Sequence, residues 1–159
     1  MTSFVFETAD EADTAALGTA LGEVLPEGTT VALCGTLGSG KTRLVQAMAA
    51  ALGVPPGRVV SPTFVLLQEY PGRCPLYHFD AYRLAGEAEF LDLGPDEYFD
   101  GDGLTVVEWA DRVAGCLPEE RLEVHIEVTG ETSRRFEVRA VGTRCEPLVA
   151  ELRSRLRSR

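Results

Sequence analysis

Residues 35–42 read Gly-Thr-Leu-Gly-Ser-Gly-Lys-Thr, which is the spacing G-x-x-x-x-G-K-T. Glycines at 35, 38 and 40 open backbone conformations closed to other residues, so successive N–H groups can converge on phosphate oxygens. Lys41 would then reach the β- and γ-phosphates, and the Thr42 hydroxyl would take one place on Mg²⁺. On this reading Gly35, Leu37, Gly38, Ser39, Gly40, Lys41 and Thr42 bind the nucleotide. Lys41 is the only lysine, against fourteen arginines. A compact ammonium on a flexible stem stands where one is wanted. Two carboxylates follow apolar runs further on: Asp80 after Tyr77-His78-Phe79, and Glu108 after Leu104-Thr105-Val106-Val107. Each is placed to hold Mg²⁺, directly or through its water, or to orient a water for attack on the γ-phosphate.

These groups need elements that bring them together. The apolar run 31–34 predicts a buried strand, and Leu44, Val45, Met48, Ala51 and Leu52 predict a helix starting near Lys41 and stopping at Gly53. Strand, glycine-rich loop and helix are the context a phosphate loop requires, and the helix adds its positive N-terminal end. A parallel sheet collects ligands at the carboxyl ends of its strands, which would set Glu108 beside the loop as a Walker-B-type acid. Upstream, Phe4–Phe6 predicts an edge strand. Thr8 with Glu11 fits a capping box opening a helix with Thr14, Leu17, Leu21 and Val24 on one face. Thr8 reads as an N-cap or as a polar contact to the nucleoside.

In Ser61-Pro62-Thr63-Phe64, Pro62 imposes an extended approach. Thr63 either begins the strand 64–70 or senses Mg²⁺ and the γ-phosphate, as loop threonines of nucleotide switches do. Pro71-Gly72 turns the chain into a second strand, 75–79, where alternation marks His78 as a half-buried sheet residue. Trp109 reads as a packing residue. Short helices follow near 87–93, 97–99 and 111–116. The acids of 92–102 form a solvated face or a second metal site. The alternating runs 122–128 and 136–141 predict a hairpin. Arg134 and Arg135 at its end are solvated charges or guanidinium contacts to adenine or ribose. A last helix spans 146–157.

The expected architecture is a three-layer α/β, P-loop NTPase-like domain over residues 1–159. Its central sheet would be mostly parallel, with antiparallel hairpin additions. A net charge of −10 argues against non-specific binding to nucleic acid or anionic membrane. Cys34, Cys74, Cys116 and Cys145 are widely spaced, giving neither a zinc pattern nor a disulfide framework. Reduced thiols, no apolar leader and no run of membrane-spanning length together point to the cytoplasm.

Taken together, the loop 35–42, Ser61-Pro62-Thr63-Phe64, Tyr77-His78-Phe79-Asp80 with Tyr82-Arg83-Leu84, Glu97-Tyr98-Phe99 and Val107-Glu108-Trp109 resemble the bacterial TsaE (YjeE-type) family in order and spacing. The resemblance implies a small Mg²⁺-dependent ATPase, weak alone, that binds a complex of TsaB and TsaD. That pair transfers threonylcarbamoyl to adenosine 37 of tRNA, so tRNA would be met only through the complex. It further implies Lys41 on phosphate, Thr42 and Glu108 on Mg²⁺, Thr63 and Asp80 near the metal and γ-phosphate, and Arg134 close to the nucleotide. Lys41, Asp80 and Glu108 are the expected catalytic set, with ATP and Mg²⁺ as cofactors. Thr36 departs from the family, which usually has an acid there. The alternatives are a small-molecule kinase, disfavoured because 81–102 is acidic with one arginine, and a non-hydrolysing nucleotide-gated scaffold. A GTPase lacks its Asn-Lys-x-Asp signal, since Lys41 is the sole lysine.

Overall fold

The computed structural model describes residues 2–36, 38–55, 57, 59, 66–82 and 84–158. Thr30–Gly35 (β2) forms the centre of a seven-stranded sheet. Its Val-Ala-Leu run is wholly buried, as expected for a strand covered on both faces. Leu104–Glu108 (β5) and Arg121–Val128 (β6) flank it in parallel, and Leu76–Asp80 (β4) runs parallel to β5. Three antiparallel strands complete the sheet: Leu67–Tyr70 (β3) beyond β4, Arg134–Val141 (β7) beyond β6, and Ser3–Thr8 (β1) at the far edge. The order is β1-β7-β6-β2-β5-β4-β3. The carboxyl ends of β2, β4, β5 and β6 therefore all lie along one rim.

Helices cover both faces. Glu11–Val24 (α1), Lys41–Ala51 (α2) and Glu146–Arg157 (α5) pack on one side over Leu33, Val106, Val124 and Phe136. On the other side, Glu87–Leu91 (α3), Asp96–Phe99 (α4) and the 3₁₀ segment Ala110–Cys116 enclose Phe79, Phe90, Phe99 and Val107. Strand alternation does the sorting: Leu33 faces the first core, Ala32 the second. Helices α1 and α2 touch backbone to side chain. A Cβ on Gly18 would fall 2.5 Å from the Ala47 Cβ, and one on Gly22 would fall 2.7 Å from the Ala51 Cβ. Those two glycines let α1 lie directly against the helix that carries Lys41.

Most expected elements appear within a residue or two, and the last helix has the expected bounds. The cap of α1 differs. Asp10, not Thr8, is the N-cap; its carboxylate accepts the Asp13 N–H at 3.1 Å, and Asp13 accepts the Ala9 N–H at 2.9 Å. Thr8 instead ends β1, opposite Arg134, because pairing with β7 extends the strand past Phe6. The motif Ser61-Pro62-Thr63-Phe64 lies outside the described residues, as do Leu37 and Arg83, and the described part of the first hairpin strand begins at Leu67.

Candidate functional site

The chain leaves β2 at Gly35 and re-enters regular structure at Lys41, with Gly38 at φ 77° and Gly40 at φ 105°. Both are left-handed values that a side chain would strain, so the loop's curvature depends on glycine at these positions. Lys41 is only 5% exposed, and its ammonium turns back onto the loop. Lys41 Nζ donates to the carbonyl oxygens of Gly35 at 2.7 Å and Thr36 at 2.8 Å, and more weakly to Ser39 Oγ at 3.4 Å. Burial pushes the Lys41 ammonium below its usual range, and the nearby charges of Glu108, Asp80 and Asp111 pull it back. The lysine thus ties the two ends of the loop while remaining close to two acids.

Those acids come from neighbouring parallel strands. Asp80 and Glu108 are register partners at the ends of β4 and β5, and the Ala81 N–H extends the pairing by donating to the Glu108 carbonyl at 3.0 Å. Asp80 is 5% exposed and Glu108 2%. Burial raises the Asp80 carboxyl above its ordinary value; the Tyr82 N–H, donated to Oδ1 at 2.9 Å, opposes this, and the Glu108 charge adds to it. The period-2 pattern puts His78 and Asp80 on one face of β4, and Val106 and Glu108 on the same face of β5. His78 is correspondingly not half-buried but fully enclosed, and its Nε2 hydrogen-bonds Glu108 Oε2.

Trp109 does more than pack. At φ 58° it is the one non-glycine residue with positive φ among the described residues. The turn it makes directly after Glu108 sets its ring centroid 3.8 Å from Lys41 Nζ, with the Tyr82 ring tilted at 43° to it and 4.8 Å away between centroids. A tryptophan in this conformation costs about 1–3 kcal/mol, a strain that clusters at functional sites. Nothing in the local sequence signals it.

Arg134 reaches the loop, but by its carbonyls. The guanidinium Nε donates to the Ser39 oxygen at 3.1 Å and Nη2 to the Gly38 oxygen at 3.2 Å, while Nη1 donates to the Ser133 and Gly130 oxygens at 2.8 and 3.1 Å. The same residue accepts the Thr8 hydroxyl on its own carbonyl at 3.4 Å. Arg134 therefore fastens the β6–β7 turn to the glycine-rich loop. Arg135, one residue on, points to the opposite face and lines a cleft with Cys34 and His125.

Two clefts share the loop. One, of about 260 Å³, brings together Gly38–Gly40, Lys41, Thr42, Glu108 and Trp109. The other, of about 530 Å³, lies between the loop, the N-terminal turn of α1 and residues 131–134. The first holds an ammonium, a hydroxyl and a carboxylate around the glycine-rich loop. The second has the size and mixed lining of a nucleoside-sized site. Oxygen donors Thr42 and Glu108, with Asp80 adjacent, fit a hard divalent cation. Among the described residues there is no group of three or more His, Cys, Asp or Glu side chains able to hold a metal by themselves. All four cysteines are free. No helix among the described residues is long and apolar enough to cross a membrane.

Residues 8–136 match the sequence profile of the family described as threonylcarbamoyl adenosine biosynthesis protein TsaE. The chain is 44% identical over 126 residues to the tRNA threonylcarbamoyladenosine biosynthesis protein TsaE of Treponema pallidum, covering 79% of this chain and 93% of that one. It is 40% identical over 154 residues to the TsaE protein of Bacillus subtilis, covering 96% and 95%. The crystal structure of YdiB from Bacillus subtilis superposes with a TM-score of 0.82 at 34% identity, over 96% of this chain and 95% of that one. With family profile, relatives and sheet architecture in agreement, the chain belongs to the TsaE family of tRNA threonylcarbamoyladenosine biosynthesis.

Proposed function

We propose that this chain is a Mg²⁺-dependent ATPase that binds a complex of TsaB and TsaD in the cytoplasm and supports threonylcarbamoyl transfer to adenosine 37 of tRNA. The observation that carries the reading is the meeting of Lys41, Thr42 and Glu108 in one cleft whose loop is shared with a second, nucleoside-sized cleft. ATP would place its phosphates on the loop, with Lys41 on the β- and γ-phosphates. The adenosine would lie between α1 and the turn before Arg134. Thr42 and Glu108 would hold Mg²⁺, which when bound neutralises charge on the phosphoryl oxygens. Asp80 or Glu108 would orient the attacking water, and the Lys41 ammonium would stabilise the charge on the transferring phosphoryl group. The net charge of −10 favours contact with tRNA through the partner proteins rather than directly.

The test is phosphate release from ATP and Mg²⁺, with and without purified TsaB and TsaD, for the native chain, Lys41→Ala and Glu108→Ala. Strong stimulation by the pair, lost in both variants, is the expected result. No stimulation, with phosphate passed to a small acceptor instead, would replace this reading with the kinase.

A further inference from the structure

We infer that His78 is a positioning residue for Glu108: its Nε2–H holds one carboxylate oxygen, Oε2, and leaves the other to the cleft. The inference rests on the proposed Mg²⁺-dependent nucleotide site and adds a residue to it. His78 is wholly buried on β4, on the face shared with Asp80, and Nε2 bonds Glu108 Oε2. Its Nδ1 is buried with no hydrogen-bond partner among the described residues. An aliphatic side chain would avoid that orphaned nitrogen, as Leu76 does two residues earlier on the same face. Besides a tilted ring contact with Tyr70, the imidazole makes one hydrogen bond among the described residues, and it serves that bond.

The contact also selects a tautomer. A carboxylate only accepts hydrogen bonds, so Nε2 must carry the proton, and a neutral ring then leaves Nδ1 bare. Proton on Nδ1 instead would bury an unsatisfied N–H and set a lone pair against a carboxylate. Held by Nε2, Glu108 cannot rotate freely inside a pocket where it is 2% exposed. Groups that orient a metal-binding carboxylate typically change affinity or activity by about 10–100-fold when removed.

Three substitutions separate orientation from packing. The glutamine amide nitrogen reaches the position of Nε2, the asparagine nitrogen that of Nδ1, and phenylalanine keeps only the ring. The measurement is the affinity of a methylanthraniloyl-labelled ADP with Mg²⁺ and with EDTA, alongside the melting temperature of each variant. In His78→Asn and His78→Phe the gain in affinity from Mg²⁺ should fall roughly 10–100-fold, while His78→Gln stays within about threefold of the native chain. If all three keep the native Mg²⁺ gain and differ only in melting temperature, His78 is a packing residue and the inference is overturned. Should the variants not fold, ¹⁵N-resolved imidazole spectra of the native chain decide: the Nε2–H tautomer is expected, and Nδ1–H refutes the contact. A native chain whose ADP affinity ignores Mg²⁺ would remove the proposed site itself, and this inference with it. That result is distinct from a native Mg²⁺ gain that His78 variants leave untouched.

Discussion

Removing Arg134 should weaken nucleotide binding far more than it weakens the fold. Its guanidinium spans two structures, donating to Gly38 and Ser39 of the loop on one side and to Gly130 and Ser133 of the turn on the other. The turn has its own hairpin pairing and a Thr129–Ser133 side-chain bond at 2.9 Å, so it should persist without the arginine. Among the described residues, the Gly38 and Ser39 carbonyls accept no side-chain bond other than those from Arg134. Two partly exposed bonds at a net 0.5–1.5 kcal/mol each give about 1–3 kcal/mol of loop ordering lost in Arg134→Ala. That ordering must then be supplied at binding, which lowers affinity roughly 5- to 150-fold. Arg134→Lys, a point charge unable to fork between the two carbonyls, should fall between. Equilibrium titration with a fluorescent nucleotide, with urea denaturation in parallel, measures both quantities. Native affinity in Arg134→Ala would show that the loop is held by Lys41 alone. A loss of stability matching the loss of affinity would show that the turn, not the loop, depends on Arg134.

Three further outcomes follow from the same geometry. Gly35→Ala places a Cβ 2.8 Å from Ser39 Oγ and 3.0 Å from the Ile126 carbonyl, so the urea midpoint should fall by the equivalent of about 1–3 kcal/mol, with nucleotide binding lost; an unchanged midpoint would mean the loop shifts freely. Asp80 has a raised folded-state pKa, so its stabilising contribution is present below the ordinary value of 3.8 and lost as pH rises through the raised one. At neutral pH its carboxylate opposes folding, and in Mg²⁺-free buffer Asp80→Asn should melt higher than the native chain at pH 7.5, with the gap closing toward pH 4; a gap independent of pH refutes this. Burial, aided by Asp111 and Glu123, pushes the Cys34 thiol up to about 11. At pH 8 that leaves on the order of one thiolate in a thousand, so in the native protein Cys34 should react with an aromatic disulfide reagent at least about tenfold more slowly than a free thiol. Rapid native labelling of a peptide containing Cys34 would contradict the burial.

The resemblance and the glycine-rich loop between β2 and α2 were legible because they depend on local chemistry. Glycine spacing sets what the backbone can do, and Lys41 and Thr42 follow it at fixed offsets, so neither needs a distant partner to be recognised. The strand-end acids were legible for a related reason: in a parallel sheet the end of an apolar run has one destination. The α1 cap was misread because Thr8 and Asp10 are both competent N-caps. Only pairing with β7, 126 residues along the chain from Thr8 to Arg134, keeps Thr8 in the strand.

By itself the sequence determined the strand–loop–helix, the order of elements, the family and the candidate groups proposed to meet phosphate and a divalent cation. Tertiary structure alone decided what those groups face. His78 and Glu108 lie 30 residues apart, and their bond exists because β4 and β5 are neighbours in register. Arg134 meets the loop because β6 lies beside β2, a choice among strand orders that no local pattern encodes. Trp109 lies over Lys41 because one left-handed residue turns the chain at the end of β5. Periodicity reports which face a side chain takes; only long-range pairing reports what stands opposite it.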